Sequence, residues 1–376
     1  MAKNTVHRID RNLARRLGEA RKEVGFSVRT ASKALPNRLS VSHTTIASYE
    51  KGTTSPPIDV LAALADIYKR PLNWFLDKRE LLSQIEYRNI QPRARLSDKR
   101  QFAAQASKWA EAYIGLAQRI KIERQKLNLG ADLLTKEPAE LSQYVRQVLL
   151  NIDDDQPVAN TVSVLESFSA WAIELTPRFR LDSAVAIHNG DPFVIFNPRV
   201  ANERARLNTA FELAALIYRD QSMASEQFKQ FTLGFSSSFL IPDSQLQLAF
   251  KGKSFLQLIQ YKERFGVSLA AMIHRAEELN FINTTASRWL WSQMVKKGWK
   301  IKEPGYVWRD RAITFETELE LAIQTKLISW PDVEHVTSIR KEELQDRIQM
   351  AYTPPEAETV SDGSDDMPDT IKFTKS

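Results

Sequence analysis

The sequence has no cysteine in its 376 residues. That absence excludes a disulfide framework, a thiolate zinc site and a cysteine nucleophile, so a reducing, cytosolic setting is the simplest expectation. Histidine is scarce as well. The five are His7, His43, His188, His274 and His335, and no two stand three or four residues apart, the spacing that puts two ring nitrogens on one helical face. No uninterrupted apolar run approaches the roughly 18 residues that span a bilayer. The N-terminus carries Lys3, Arg8, Asp10 and Arg11 where a signal peptide would need an apolar stretch.

What the chain does have is charge, unevenly spread. The formal net charge is +6, from 52 Lys and Arg against 46 Asp and Glu. Residues 1–80 hold fifteen basic residues against eight acidic ones, and residues 81–125 hold nine against four. The final 24 residues, from Thr353, hold two against six, interspersed with Pro354-Pro355 and Asp362-Gly363. Such a segment cannot bury enough apolar surface to fold and is expected to be disordered. Positive charge therefore gathers in the first third, where a nucleic-acid partner would be sought.

Helical periodicity is strong in that third. Ile9, Leu13, Leu17 and Ala20 recur at three- and four-residue spacing and predict a first helix ended by Gly25. Ser27 is placed to cap a second helix, which Pro36 stops; a third runs from about Ser42 to Gly52. Ser55-Pro56-Pro57 is read as the start of a fourth, with Leu61, Leu64, Ala65 and Tyr68 as its buried stripe, and a short fifth follows Pro71. Beyond this all-α unit, Ser97-Asp98 is read as the cap of a long helix. Its apolar residues Phe102, Ala106, Trp109, Tyr113, Leu116 and Ile120 alternate in heptad fashion. That seam either packs on its own chain or pairs with a second copy. Strand-like runs follow at 170–175, 183–187 and 192–196, with Asn189-Gly190-Asp191 as a hairpin turn. Helical patterns then return from about Ala201 to Lys297.

The segment Val41-Ser42-His43-Thr44-Thr45-Ile46-Ala47-Ser48-Tyr49-Glu50-Lys51-Gly52 resembles the recognition helix of the XRE, or lambda-repressor-like, helix-turn-helix family, and the resemblance covers roughly residues 9–76. The helical period turns Ile46 and Tyr49 inward and His43, Thr44, Ala47 and Ser48 outward. The outward set suits base edges: hydroxyl and imidazole groups by hydrogen bonds, the Ala47 methyl by contact with thymine. Arg29, Arg38 and Lys51, near the ends of the second and third helices, suit phosphates. The chain departs from the family at Leu35-Pro36-Asn37-Arg38-Leu39-Ser40, where the connection between helices two and three is longer than the usual short turn.

A second resemblance lies at residues 192–242. The run Pro192-Phe193-Val194-Ile195-Phe196-Asn197-Pro198, followed by Arg204-Ala205-Arg206-Leu207-Asn208-Thr209-Ala210, looks like the approach to the active-site helix of the ImmA/IrrE family. That family carries His-Glu-x-x-His there, two histidines to hold zinc and a glutamate as general base. Here the helix reads Phe211-Glu212-Leu213-Ala214-Ala215, so Phe211 and Ala215 replace the histidines and only Glu212 matches. The resemblance implies a third ligand, a glutamate, ahead of the ending Phe235-Ser236-Ser237-Ser238-Phe239-Leu240-Ile241-Pro242. Its position falls near Phe231, and Glu226 comes more than a turn too early. Glu212 is expected to be a solvated or salt-bridged carboxylate. Ala210, Phe211, Ala214, Ala215 and Ile217 are expected to fill the former cavity. Residues 261–280 and 291–304 are similar to the helical extension of long regulators that join both domains.

These readings predict a mainly α chain with a small β-sheet, an α+β fold. The expected order is a five-helix DNA-binding domain at 1–80, a linker with the long helix at 81–130, a zincin-like pseudo-peptidase domain at 131–250, a helical extension at 251–352 and an acidic tail at 353–376. The expected function is a cytoplasmic transcriptional regulator, a repressor acting as a homodimer on a double-stranded operator. Neither catalysis nor a cofactor or metal is expected; the C-terminal domain would serve sensing, with a protein or small-molecule effector, or dimerisation. An antitoxin or defence-locus regulator that binds a partner protein is the alternative, and an active metallopeptidase is the third.

Overall fold

The computed structural model describes residues 11–76, 82–89, 93–121, 129, 132–188, 190–219, 223–252 and 254–351. His7, the hairpin residue Asn189 and the acidic tail lie outside the described residues. The chain is mainly helical. It runs α1 (Arg11–Glu23), α2 (Val28–Ala34), α3 (His43–Lys51), α4 (Ile58–Ile67), β1 (Ser83–Arg88), α5 (Leu96–Ile120), α6 (Pro138–Tyr144), α7 (Thr161–Ser167), β2 (Trp171–Glu174), β3 (Ser183–His188) and β4 (Asp191–Phe196). There follow α8 (Asn202–Tyr218), α9 (Ser225–Leu240), α10 (Asp243–Lys251), α11 (Phe255–Phe265), α12 (Leu269–Glu278), α13 (Thr284–Lys296), α14 (Thr314–Gln324), α15 (Trp330–Thr337) and α16 (Lys341–Ala351). Contacts divide the described residues into two compact units, one drawn from within 11–121, 171–198 and 313–351, the other from within 129–170 and 199–312.

In the first unit α1 to α4 and a 3-10 turn at Leu72–Leu76 make the expected five-helix arrangement. Leu17, Ala20, Ala31, Ile46, Leu61, Leu64, Tyr68 and Phe75 pack into one apolar core. Capping explains several boundaries. Ser27 accepts from the Thr30 amide at the start of α2, and Gly52 closes α3 in the left-handed region at φ 71°. Two expected caps are not used. α4 starts after Pro57 and α5 after Arg95, neither with a side-chain cap, so Ser55 and Ser97-Asp98 do not set those boundaries. Proline's fixed φ and the burial of each helix's apolar face suffice instead.

Around α5 the second core of this unit forms. Phe102, Ala106, Trp109, Tyr113 and Leu116 are all buried, and they pack with Trp171, Ile173, Phe193 and Ile195 of the sheet and with Phe315, Leu319 and Val333 of α14 and α15. The heptad seam therefore packs on its own chain. The sheet has the order β1-β3-β4-β2, with β2 parallel to β4 and the other pairs antiparallel. Sequence reading missed β1, which pairs with β3 across roughly a hundred residues.

A web of buried charges also joins α1 and the Leu72–Leu76 turn to α5. Arg16 meets Glu111 at 2.8 Å, and the Trp74 indole donates to the same carboxylate at 3.0 Å. The guanidinium groups of Arg16 and Arg70 each lie 4.3 Å from the Trp74 ring centre. Arg70 pairs with Glu23 at 2.8 Å, and Lys108 meets Glu23 at 3.0 Å and Glu343 at 2.7 Å. Three cations and three carboxylates thus cross-neutralise, which is what lets charges leave water without a large penalty.

The second unit is helical. Its α8 and α9 lie against each other, and α6 packs on α9. Phe235, Phe239 and Leu240 of α9 and Leu213, Ala214 and Tyr218 of α8 are buried.

Candidate functional site

The first candidate surface is built on α3. Ser42 caps the helix by accepting from the Thr45 amide at 3.1 Å, and its hydroxyl also meets those of Thr44 and Thr45 at 2.7 and 2.8 Å. Ile46 and Tyr49 face the core at 1% and 7% exposure. Burial is also what raises the Tyr49 phenol above its ordinary pKa. His43 and Thr44 are exposed, while Ala47 and Ser48 are half-buried. The Ser48 hydroxyl donates to the Thr44 carbonyl at 3.1 Å, so its proton is engaged within the helix and its lone pairs remain as acceptors. Arg21 of α1 forks onto Glu50 at 2.5 and 2.7 Å, fixing α3 from behind. Arg29, Arg38 and Lys51 are exposed. Arg38 sits in a 3-10 turn, Asn37–Leu39, which takes up the longer α2–α3 connection and ends at Ser40 in the left-handed region. Leu39 packs against the domain core.

The second candidate is the middle of α8 with the facing α9. Phe211 is half-buried, Ala215 is 9% exposed, and Phe231 is half-buried with its ring edge-on to Tyr218 at 5.6 Å. Ala210, Ala214 and Ile217 are buried beside them, so four of the five expected filling residues are buried and Phe211 is partly so. Of the two expectations for Glu212, a solvated or a salt-bridged carboxylate, its 1% exposure removes the first. The helical period places it on the packed side of α8, a position that residue type alone does not reveal. Phe211, Ala215 and Phe231 offer no lone pair to a cation, and Glu212 alone cannot complete a tetrahedral site. Among the described residues no group of three or more His, Asp or Glu side chains could hold a metal ion. The residues present do not fit a zinc ion.

Sequence reading also missed an anchor at the base of α8. Arg206, fully buried, donates to both Asp310 carboxylate oxygens at 2.6 Å. It also donates to the carbonyls of Val158 and Gly266, and its guanidinium lies 4.2 Å from the Trp308 ring centre. Asp310 further accepts from the Thr161 amide and hydroxyl, both at 2.7 Å, at the first turn of α7. Burial pulls the Arg206 guanidinium below its ordinary pKa, while the Asp310 charge and hydrogen bonds oppose that. Gly266 has φ +68°, and a Cβ there would meet the Arg206 Nε at 2.4 Å. The anchor orients α7 and α8. Arg206 and Asp310 are 104 residues apart, so no local pattern could have paired them.

Comparison with known families agrees with the residues that carried the two resemblances. Residues 12–73 match the model of a helix-turn-helix domain, and residues 171–277 match that of an IrrE N-terminal-like domain. No curated protein matches the chain. An XRE-like helix-turn-helix thus stands at the N-terminus and an ImmA/IrrE-like domain follows it. Among the described residues no helix is long and apolar enough to cross a membrane.

Proposed function

We propose that this protein is a sequence-specific transcriptional regulator, a repressor acting in the cytoplasm as a homodimer. In this reading residues 1–80 bind DNA, 131–250 form a peptidase-like domain without its chemistry, and 251–352 extend it. The observation that carries the reading is the combination of a capped recognition helix, with His43 and Thr44 exposed on it, and a peptidase-like helix whose ligand positions are Phe211, Ala215 and Phe231. His43, Thr44, Ala47 and Ser48 contact bases; Arg29, Arg38 and Lys51 hold phosphates. The zinc site is lost, and the domain that held it serves sensing, partner binding or dimerisation. A two-fold protein reads half-sites about one helical turn apart, roughly 34 Å.

Footprinting of the purified protein on DNA upstream of its own gene tests this. A protected pseudo-palindrome, with affinity that falls steeply as salt rises, is expected because each phosphate contact releases counterions. Protection that is equal on unrelated DNA would overturn the reading.

A further inference from the structure

Within the first unit, residues 175–182 join β2 to β3 and carry Arg178 to the N-terminal helices. Phe179 beside it is 8% exposed, edge-on to Phe102 of α5 at 5.8 Å and to Tyr87 of β1 at 6.4 Å. The connection is thus fixed in the core, while Arg178 itself is exposed. Its guanidinium lies over the turn between α1 and α2: a Cβ added at Gly25, which has φ +77°, would stand 3.2 Å from the Arg178 Nη1. Gln101 of α5 closes the same seam by donating to the Glu23 carbonyl at 2.9 Å. The turn leads at once into α2, where Ser27 caps the first turn and Arg29 is exposed. In a helix-turn-helix the helix ahead of the recognition helix crosses the DNA backbone, so phosphates are met here.

Arg178 is not alone there. A shallow cleft of about 430 Å³ is lined by Arg93, Ala94, Arg95, Asp98, Arg178 and Phe179. Arg93 and Arg95 are exposed and precede α5, and Asp98 stands in its first turn. None of the three arginines forms an ion pair or a side-chain hydrogen bond among the described residues, and neither does the Asp98 carboxylate. Each therefore counts at full charge, three positive against one negative, which leaves +2 in the cleft. Lys99 flanks it, 5.9 Å from the Tyr87 ring centre. Nearby charges cancel one another: Glu23 under the seam pairs with Arg70, and the connection carries Arg180 and Asp182, one of each sign. Gathering like charges on one surface works against folding, whereas guanidinium forks suit phosphate oxygens.

From this we propose that Arg93, Arg95 and Arg178 bind the phosphate backbone of duplex DNA beside the α2 contacts. Arg178 lies within the IrrE-like match, so that part of the chain takes a direct share in DNA binding. The proposal rests on the regulator reading for the presence of DNA, but not on any base contact of α3. The test compares the parent with the triple variant Arg93→Ala, Arg95→Ala, Arg178→Ala, on DNA from upstream of the gene and on an unrelated duplex. In the variant the slope of log affinity against log salt should shrink by about 2 to 3, at about 0.9 per phosphate. The shrinkage should be the same on both duplexes, since phosphates carry no sequence. Hydroxyl-radical protection should disappear at the edge of the footprint and persist at its centre. Circular dichroism and Tm should stay as in the parent, because all three side chains are exposed. Asp98→Asn, of opposite sign, should tighten binding to both duplexes about twofold or more, which a damaged fold would not do. A parent that binds no DNA would overturn both this surface and the regulator reading. A parent that binds all DNA alike would overturn the regulator reading, and the slope would still decide the surface. A parent that binds while the folded triple variant keeps its slope or loses protection evenly would overturn the surface alone, as would Asp98→Asn without a gain.

Discussion

Tyr218 closes the packed face of α8 with its ring against Phe231, yet its hydroxyl is buried without an acceptor among the described residues. A phenol in that state costs about 1–3 kcal/mol relative to a paired one. Tyr218→Phe should therefore leave stability unchanged or raise it by about 1 kcal/mol, as urea unfolding at neutral pH would show. The same burial, with the Glu137 charge as a lesser cause, pushes the phenol up to about 12. The folded protein thus keeps a proton that the unfolded chain releases near its ordinary value of about 10. The native state binds more protons in that window, so stability falls as pH rises from about 10 to 12. That part of the decline should vanish in Tyr218→Phe. On α3 the residue scale separates Thr44 from Ser48. Both hydroxyls have a local partner, Thr44 in the Ser42 hydroxyl and Ser48 in the Thr44 carbonyl, but Thr44 is exposed while Ser48 is half-buried. Thr44→Ala should cost about 1–3 kcal/mol of operator affinity if its hydroxyl reads a base, and Ser48→Ala less. Competition binding with operator variants measures both, and an equal loss on non-operator DNA would point to a phosphate contact instead.

Between elements, the Arg206–Asp310 pair binds α7 and α8 to the segment that follows α13. Removing one partner of a buried ion pair leaves the other uncompensated, and Asp310→Ala should destabilise by about 3–5 kcal/mol in chemical denaturation. Arg206→Met combined with Asp310→Ala should recover part of that, because no stranded charge then remains. If the double variant fell by the full sum of the single ones, the pair would not act as a unit. Helices with a clear apolar period were legible from the chain: α1 to α4 and the buried seam of α5 follow local spacing. The short β1 was not, because Ser83–Arg88 becomes a strand only by pairing with β3. Nor were Ser55 and Ser97-Asp98 reliable as caps, since cap residues are common in turns that start no helix.

For the whole molecule, the central question is whether the ImmA/IrrE-like domain retains chemistry. Elemental analysis of protein purified without chelators should find far less than one zinc per chain. A near-stoichiometric zinc content would revive a metallopeptidase and sink the proposed loss. Glu212→Gln should leave operator affinity as it is; a changed affinity would mean that this buried carboxylate serves regulation. Both experiments address an expectation drawn from residue types alone, for phenylalanine and alanine carry no metal donor in any fold. The sequence by itself also determined where positive charge gathers and which face of α3 turns outward, since the helical period is a local property. Tertiary structure decided the rest: that Glu212 is buried, that the α5 seam is covered by its own chain, that Arg206 meets Asp310, and that Arg178 lies over the turn before α2. Those depend on which distant segments pack together, and burial and charge pairing across long separations leave no periodic trace in the chain.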